Sequence, residues 1–336
     1  MKIIVDAMGG DNAPIEIIKG CIEAIKEKEG FDLLLVGDSK IINNYLKENK
    51  FISSRIIIKH TTEIISNEDS PTKAIRGKKD SSMVVGYNLL KAKEGEVFVS
   101  AGNTGALLTG ALMILGRIKG VDRPALAPVI PTEKGGTLLV DAGANTVCKP
   151  INFIQFGIMG SIYMKDVFEI ENPRVGLINV GSEEKKGNEL IKNAYSGLSS
   201  SNINFIGNVE GQQLLAGAVN VAVCDGFVGN ILLKFLEGAG PFFFNGMKVV
   251  FTKNLLSKLA ALIVKKSLKN FKKRLDPSEF GGAPFLGVNG KVLKSHGSAN
   301  AKAIKNAILK AVIFAKSSII EQLEVEFKNT EVEEIE

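Results

Sequence analysis

Four stretches of this chain set small polar residues directly after a run of strand-forming residues. Lys2-Ile3-Ile4-Val5-Asp6 leads into Ala7-Met8-Gly9-Gly10-Asp11-Asn12, and residues 96–100 lead into Ala101-Gly102-Asn103-Thr104-Gly105. Residues 137–141 lead into Ala142-Gly143-Ala144-Asn145, and 219–225 into Gly226-Phe227-Val228-Gly229-Asn230. Such junctions point backbone N–H groups and a helix N-terminus at the carboxyl end of a strand, where anions bind. Four of them on one sheet edge read as a single anion-handling site. The best phosphate candidate is Ser100-Ala101-Gly102-Asn103-Thr104-Gly105. Its glycines let the main chain come close, and Thr104 offers a hydroxyl donor. Taken alone, the same turn also reads as a helix capping itself with Asn103 or Thr104.

Other chemistries lack their residues. No GxGxxG follows the first strand, and neither a GxxxxGK[ST] loop nor a GxSxG elbow occurs. The histidines are His60 and His296, and neither has a nucleophile near it in sequence. No His, Cys or Glu cluster has metal-ligand spacing, so no metal is expected. What remains is backbone N–H, Asn, Thr, Ser, a few Asp and Lys. That set holds phosphate and an oxyanion without moving many protons. His296, in Lys294-Ser295-His296-Gly297-Ser298, suits donation to a phosphate or carbonyl oxygen, and equally a capping turn. Glu183 and Glu184 fit the positive end of a helix, and Lys185 or Lys186 could reach a ligand. Attack of inorganic phosphate on a thioester fits these groups. Phosphate is already anionic near neutral pH, and the leaving thiol has an ordinary pKa of about 8.5. Positioning and charge neutralisation then carry the rate.

In the scaffold that must hold these groups, strands alternate with helical patterns, which predicts a doubly wound, mostly parallel sheet. Strands are expected at 2–6, 32–37, 55–59, 96–100, 137–141, 174–180 and 219–225. Helices are expected to begin near Ala13, Ser39, Ser81, Asn103, Ser182 and Gly226, and a last long one near Ser298 running past Ile320. Gly281-Gly282-Ala283-Pro284, with Gly287 and Gly290, reads as a sharply turned loop. Residues 248–274 carry nine Lys or Arg and no acid. Leu256, Leu259, Ile263 and Val264 share one side of a helical wheel there, with Lys258, Lys265, Lys269 and Lys272 opposite, just after Phe242-Phe243-Phe244. That pattern describes either an amphipathic hairpin on an anionic membrane or partner, or a surface helix packed on its own core.

With 336 residues, 45% of them hydrophobic, the chain can bury a large core. The start shows no signal-peptide pattern, and no run of about 18 uncharged apolar residues predicts a membrane-spanning helix. Cys21, Cys148 and Cys224 are too scattered for a disulfide framework and are expected to be buried in a reducing compartment. The net charge of +6 conceals a basic body and an acidic end over 321–336. Without interleaved aromatic and basic residues, nucleic acid is not an expected partner. The chain is expected to divide into a catalytic α/β/α unit over 1–323, which includes an amphipathic hairpin at 240–275, and an acidic, frayed tail over 324–336.

These motifs together resemble the bacterial phosphate acyltransferases of phospholipid synthesis. The resemblance runs through residues 6–11, Arg76-Gly77-Lys78-Lys79-Asp80-Ser81-Ser82-Met83, 100–106, Arg123-Pro124-Ala125, 141–145, 224–230 and His296-Gly297-Ser298. Ser182 and Ala299 depart from it, standing where many relatives have Glu and Ser. The resemblance implies a three-layer α/β/α fold shared with isocitrate and isopropylmalate dehydrogenases and with phosphotransacetylases. It implies acyl transfer from acyl-acyl carrier protein to inorganic phosphate with no cofactor. It further implies a homodimer, attached peripherally to the cytoplasmic face of the membrane by the hairpin, that feeds a glycerol-3-phosphate acyltransferase. On this reading Ser100, Gly102, Asn103 and Thr104 bind phosphate. Asp6, Gly9, Gly10, Asp11, Asp141, Asn145, Asp225 and Asn230 shape the cleft. Lys185, Lys186, Lys234 and His296 neutralise charge. The rival expectations are a phosphotransacetylase acting on a short acyl-CoA, a dehydrogenase of related fold, and an inactive membrane-surface scaffold.

Overall fold

The computed structural model describes residues 1–328, and its strands form two sheets rather than one. The first has seven strands: β1 (Lys2–Asp6), β2 (Asp32–Gly37), β3 (Ile56–His60), β4 (Val97–Ser100), β5 (Ala125–Leu126), β11 (Ala283–Leu286) and β12 (Lys291–Lys294). Their order is β3-β2-β1-β4-β12-β11-β5. The second has five: β6 (Val129–Thr132), β7 (Gly135–Val140), β8 (Val175–Ile178), β9 (Phe205–Val209) and β10 (Val221–Val223), in the order β6-β7-β10-β8-β9. Strands β1 to β4 and β12 run parallel, as do β7, β10, β8 and β9; the β5, β11 and β6 pairings are antiparallel. The sheets meet where the chain passes from β5 through Ala127 and Pro128 into β6. Ala142 N donates to Leu126 O (2.8 Å), and Leu139 N to Pro128 O (2.9 Å), across that seam.

Strand sequences that are apolar on both faces demand helices on both faces. One layer contains α1 (Ile15–Glu27), α2 (Ser39–Glu48), α6 (Pro150–Phe168), α7 (Glu189–Ser200), α11 (Ala301–Lys316) and α12 (Ile319–Lys328). Its buried residues form one core with Ile3, Val5, Val97 and Val99 of the first sheet and Leu138, Val140 and Val221 of the second. On the opposite face, α3 (Pro71–Gly77), α4 (Ser82–Lys91) and α5 (Thr104–Gly110) cover Ile4, Phe98 and Val292. There α8 (Gly211–Leu215) and the start of α9 (Gly226–Thr252) cover Leu139 and Ala222. The two strand faces thus follow the period-2 alternation of the sequence.

Several expectations need correction. The Gly281–Gly290 stretch is a hairpin, β11 and β12, inserted into the first sheet, with Phe285, Leu286, Val292 and Leu293 buried. Gly281 and Gly282 take positive φ to let it start. The helix placed near Ser182 begins at Glu189, capped by Asn188; 181–188 is a loop held by Asn179 and Asn208. The last helix breaks at Ser317 and resumes as α12. Leu323 and Phe327 are buried there, so 324–328 are docked helix rather than frayed tail; 329–336 lie outside the described residues. Cys148 is half-buried, whereas Cys21 and Cys224 are buried.

From the body, α9 runs outward for 27 residues and α10 (Leu255–Arg274) returns beside it, Phe244 meeting Phe271 at 6.2 Å. By length and composition α9 is apolar enough to cross a membrane, although it is not free of charged residues. Phe227, Phe235, Phe242, Phe243, Val249 and Val250 are exposed along it. On α10, Leu256, Leu259 and Ile263 are exposed and Val264 is half-buried.

Candidate active site

The four glycine-containing turns fall two on each sheet. Three of them, those after β4, β7 and β10, line a cavity of about 1000 Å³ between the sheets, bordered by Gly102, Thr104, Gly143, Gly226, Asn230 and Lys234 together with residues 294–300, whereas the turn after β1 reaches it only indirectly, through the Asp11 N–H that donates to Gly297 O. Register explains the convergence. Asp6 follows Val5, which pairs Val99, and Lys294 pairs Ser100, so Asp6, Ser100 and Lys294 form one row at the same rim.

Asp6 and Asp141 are buried beneath the cavity, not displayed in it. Asp6 accepts from Ser100 Oγ (2.7 Å) and Met8 N (3.1 Å), and Ser100 Oγ accepts from Gly102 N (3.0 Å). A Cβ on Gly9 would stand 2.4 Å from Asp6 Oδ2, so glycine is required for the carboxylate to sit here. Asp141 accepts from Leu126 N, Ala144 N and Asn145 N, and from Asn145 Nδ2. Burial raises the pKa of both carboxyls, and the hydrogen bonds oppose it in part. Their work is to fix the turns. Asn145 extends it, its Nδ2 donating to Pro124 O (2.7 Å) and its carbonyl accepting from Gly226 N (2.7 Å). Asp225 caps α9 through Val228 N (2.8 Å).

Asn103 takes the capping alternative. Its Oδ1 accepts from Ala106 N (2.9 Å) and its Nδ2 donates to Asn67 O (3.0 Å), and the residue is not part of the cavity lining, so its side chain is engaged in holding the turn. Asp11 accepts from Asn67 Nδ2 (2.9 Å), and its N–H donates to Gly297 O (2.8 Å). Gly10, at φ 108°, lets that loop cross Gly297. Lys185 and Lys186 are exposed and outside the cavity lining, with Lys186 3.7 Å from Glu183. Thr104, Asn230, Lys234 and His296 do line it.

Two further groups are not evident from the sequence motifs. Glu237, one turn beyond Lys234 on α9, lies 2.8 Å from Lys234 Nζ and 3.5 Å from His296 Nε2. The His296 hydrogen bond, aided by Lys234, brings its carboxyl down to about 2 against the effect of burial. Ser298 N donates to His296 Nδ1 (3.2 Å), which assigns the neutral ring's proton to Nε2, facing Glu237. Lys294 lies at the cavity end of β12, its Nζ donating to Ser295 O (3.0 Å). Burial, with the Lys234 charge nearby, lowers it to about 8. The i, i+3 spacing of Lys234 and Glu237 is visible in the chain; the strand that buries Lys294 is hidden in a stretch that reads as loop. Cys148 supplies no nucleophile, because burial pushes its thiol up to about 11. Among the described residues no cluster could hold a metal ion.

The cavity therefore offers the N-terminal ends of α9 and α11, small-residue turns with free approach, and Lys234, Lys294 and His296 as donors. It can hold an anion and stabilise a developing oxyanion.

The frame is a three-layer, dehydrogenase-like α/β fold. It is similar to a phosphotransacetylase from Streptococcus pyogenes (TM-score 0.61, 16% identity, 94% of each chain). It is also similar to a putative 4-hydroxythreonine-4-phosphate dehydrogenase from Salmonella typhimurium (TM-score 0.51, 13% identity, 94% of this chain and 99% of that one). At sequence level the match is far closer. A sequence model of the fatty acid synthesis protein family matches residues 1–322. The phosphate acyltransferase of Acetivibrio thermocellus is 59% identical over 336 residues, covering all of this chain and 99% of that protein. That of Clostridioides difficile is 48% identical over 324 residues, 96% of this chain and 95% of that protein. The chain belongs to this family of phosphate acyltransferases and is an acyltransferase.

Proposed function

We propose that the protein transfers a fatty acyl group from acyl-acyl carrier protein to inorganic phosphate, giving acyl phosphate for phosphatidic acid synthesis. The observation that carries this reading is the cavity itself: turns from two sheets and three cationic or N–H donors around a space lined by no cysteine, with no metal-binding cluster among the described residues. A phosphate oxygen attacks the thioester carbonyl, the C–O bond forms, and the C–S bond breaks. The proton that phosphate loses goes to the departing thiolate, so no net acid or base is consumed. Lys294, mostly protonated at neutral pH, is placed to relay that proton and to balance the oxyanion. Thr104, Gly102 and Asn230 border the phosphate, and Lys234 and His296 flank it. Asp6, Ser100, Asp141 and Asn145 hold the turns in place.

The exposed apolar and basic faces of α9 and α10 support peripheral attachment to the anionic inner face of the cell membrane. Such an enzyme works as a homodimer in the cytoplasm and delivers its product to a glycerol-3-phosphate acyltransferase. Phosphate-dependent thiol release from palmitoyl-acyl carrier protein tests the activity, with acetyl-CoA in parallel. Release from acetyl-CoA alone would turn the assignment to a short-chain phosphotransacetylase. Vesicle binding with no release from either donor would leave a scaffold.

A further inference from the structure

A second cavity, of about 460 Å³, lies on the other side of the 142–146 loop from the first. Gly143 and Thr146 line the reaction cavity, whereas Ala144 and Asn145 line this one, with Leu108 and Leu112 as an apolar wall and Arg117 and Arg123 at its margin. Arg123 is exposed and has no ion pair among the described residues. Arg117 is half exposed and donates to the carbonyl of Asp122. Asp122, the only acid lining this cavity, is engaged by Asn152 Nδ2 (2.7 Å) and lies 3.9 Å from Arg117. The rim is thus a positive collar around a slot with an apolar wall, one loop away from the anion-binding turns.

The occupant must reconcile two demands. A thioester has to reach the reaction cavity, while a folded carrier too large to enter stays outside. We propose that the collar of Arg117 and Arg123 is the docking surface for the acidic carrier protein, whose phosphodiester-linked acyl arm passes along this second cavity to the reaction cavity. This rests on the acyl-transfer reading above and adds the partner's seat to it. Charge complementarity selects the occupant. A carrier with an acidic surface and a phosphodiester at the root of its arm meets two guanidiniums, which bind such oxyanions in a fixed fork. Leu108 and Leu112 face the arm's apolar segments. Rim charges of this kind act on encounter and on salt sensitivity more than on the chemical step.

Arg123→Glu with Arg117→Glu tests it, assayed with two donors: palmitoyl-acyl carrier protein and the carrier-free thioester S-palmitoyl-N-acetylcysteamine. The expected result is a fall on the order of tenfold or more in kcat/KM for the carrier-bound donor relative to the carrier-free one, with a flatter salt dependence. An unchanged ratio overturns the proposal, whether both rates hold or both fall together. So does the case in which Lys265→Glu with Lys269→Glu changes the ratio and the arginine variant does not, since the carrier would then seat on α10. Wild-type turnover is read first. If it releases no thiol in the presence of phosphate from either donor, the acyl-transfer reading itself has failed, whatever the variants do.

Discussion

Replacing Lys294 by methionine should make the protein more stable and less active at the same time. The Nζ has one hydrogen-bond partner, Ser295 O, and its burial lowers its pKa from 10.5 to about 8. A tenfold change in proton affinity corresponds to about 1.4 kcal/mol, so the charged form is disfavoured in the folded state by up to about 3 kcal/mol. The sign is opposite to that of a lysine held in an ion pair. Between about pH 8 and 10.5 the unfolded chain binds a proton that the folded chain does not, so stability rises with pH across that window. Below about 8 the whole cost is present. Lys294→Met is close in volume and removes it, so calorimetry at pH 7 should show a melting point a few degrees higher, with the gain shrinking by pH 10. Thiol release from palmitoyl-acyl carrier protein should fall on the order of a hundredfold. In the wild type, kcat should decline as pH passes about 8, and Lys294→Arg should move that decline upward. A variant that melts lower, a gain indifferent to pH, or retained turnover would each refute the assignment of Lys294 as a half-buried working cation.

Asn103→Ala should cost about 1 kcal/mol in stability through the lost α5 cap and leave kcat within a few fold; a loss of several hundredfold would return Asn103 to the catalytic group. Gly229→Ala should prevent soluble expression or lower the melting point steeply, because the added Cβ would lie 1.8 Å from Asp141 O at the sheet rim; a normal melting curve would show that the α9 junction yields easily. Leu259→Glu, at a side chain 52% exposed on α10, should abolish co-sedimentation with anionic vesicles while thiol release in solution persists; undiminished pelleting would count against membrane docking by this face.

What can be read in the chain is what repeats or alternates. Strands β1, β2, β4 and β7 announce themselves as apolar runs ending in Asp, Ser or Gly, and the glycines after β4 and β7 mark the rim of the cavity. Their division between two sheets is not visible, because it depends on β5 and β6. These short strands around Pro128 have too few residues for a period, and while β6 pairs with the adjacent β7, the partner of β5 is β11, distant in sequence. Strands β11 and β12 are hidden by the glycines that begin and follow the first of them, and with them goes the burial of Lys294. Motif logic finds Asp6 and Asp141 as residues that shape the cleft, but not their burial or their partners: a residue type seen beside a phosphate loop says nothing about which atoms it engages. Asn103 shows the same limit, since capping and ligand binding ask for identical side chains at one position. Lys185 and Lys186 sit where the sequence suggests a helix start, but that helix begins several residues later, after a loop bound by Asn179 and Asn208.

The length of α9 has a mechanical consequence. Its 27 residues correspond to a rod of roughly 40 Å. Its root is clamped by the Asp225 cap and by Gly229 wedged on Asp141, while its far turns project past Pro241 into the open. A beam fixed at one end transmits torque to its support. Whatever loads the tip near Val249 is carried back along the helix to Asn230, Lys234 and Glu237, which line the cavity at its root.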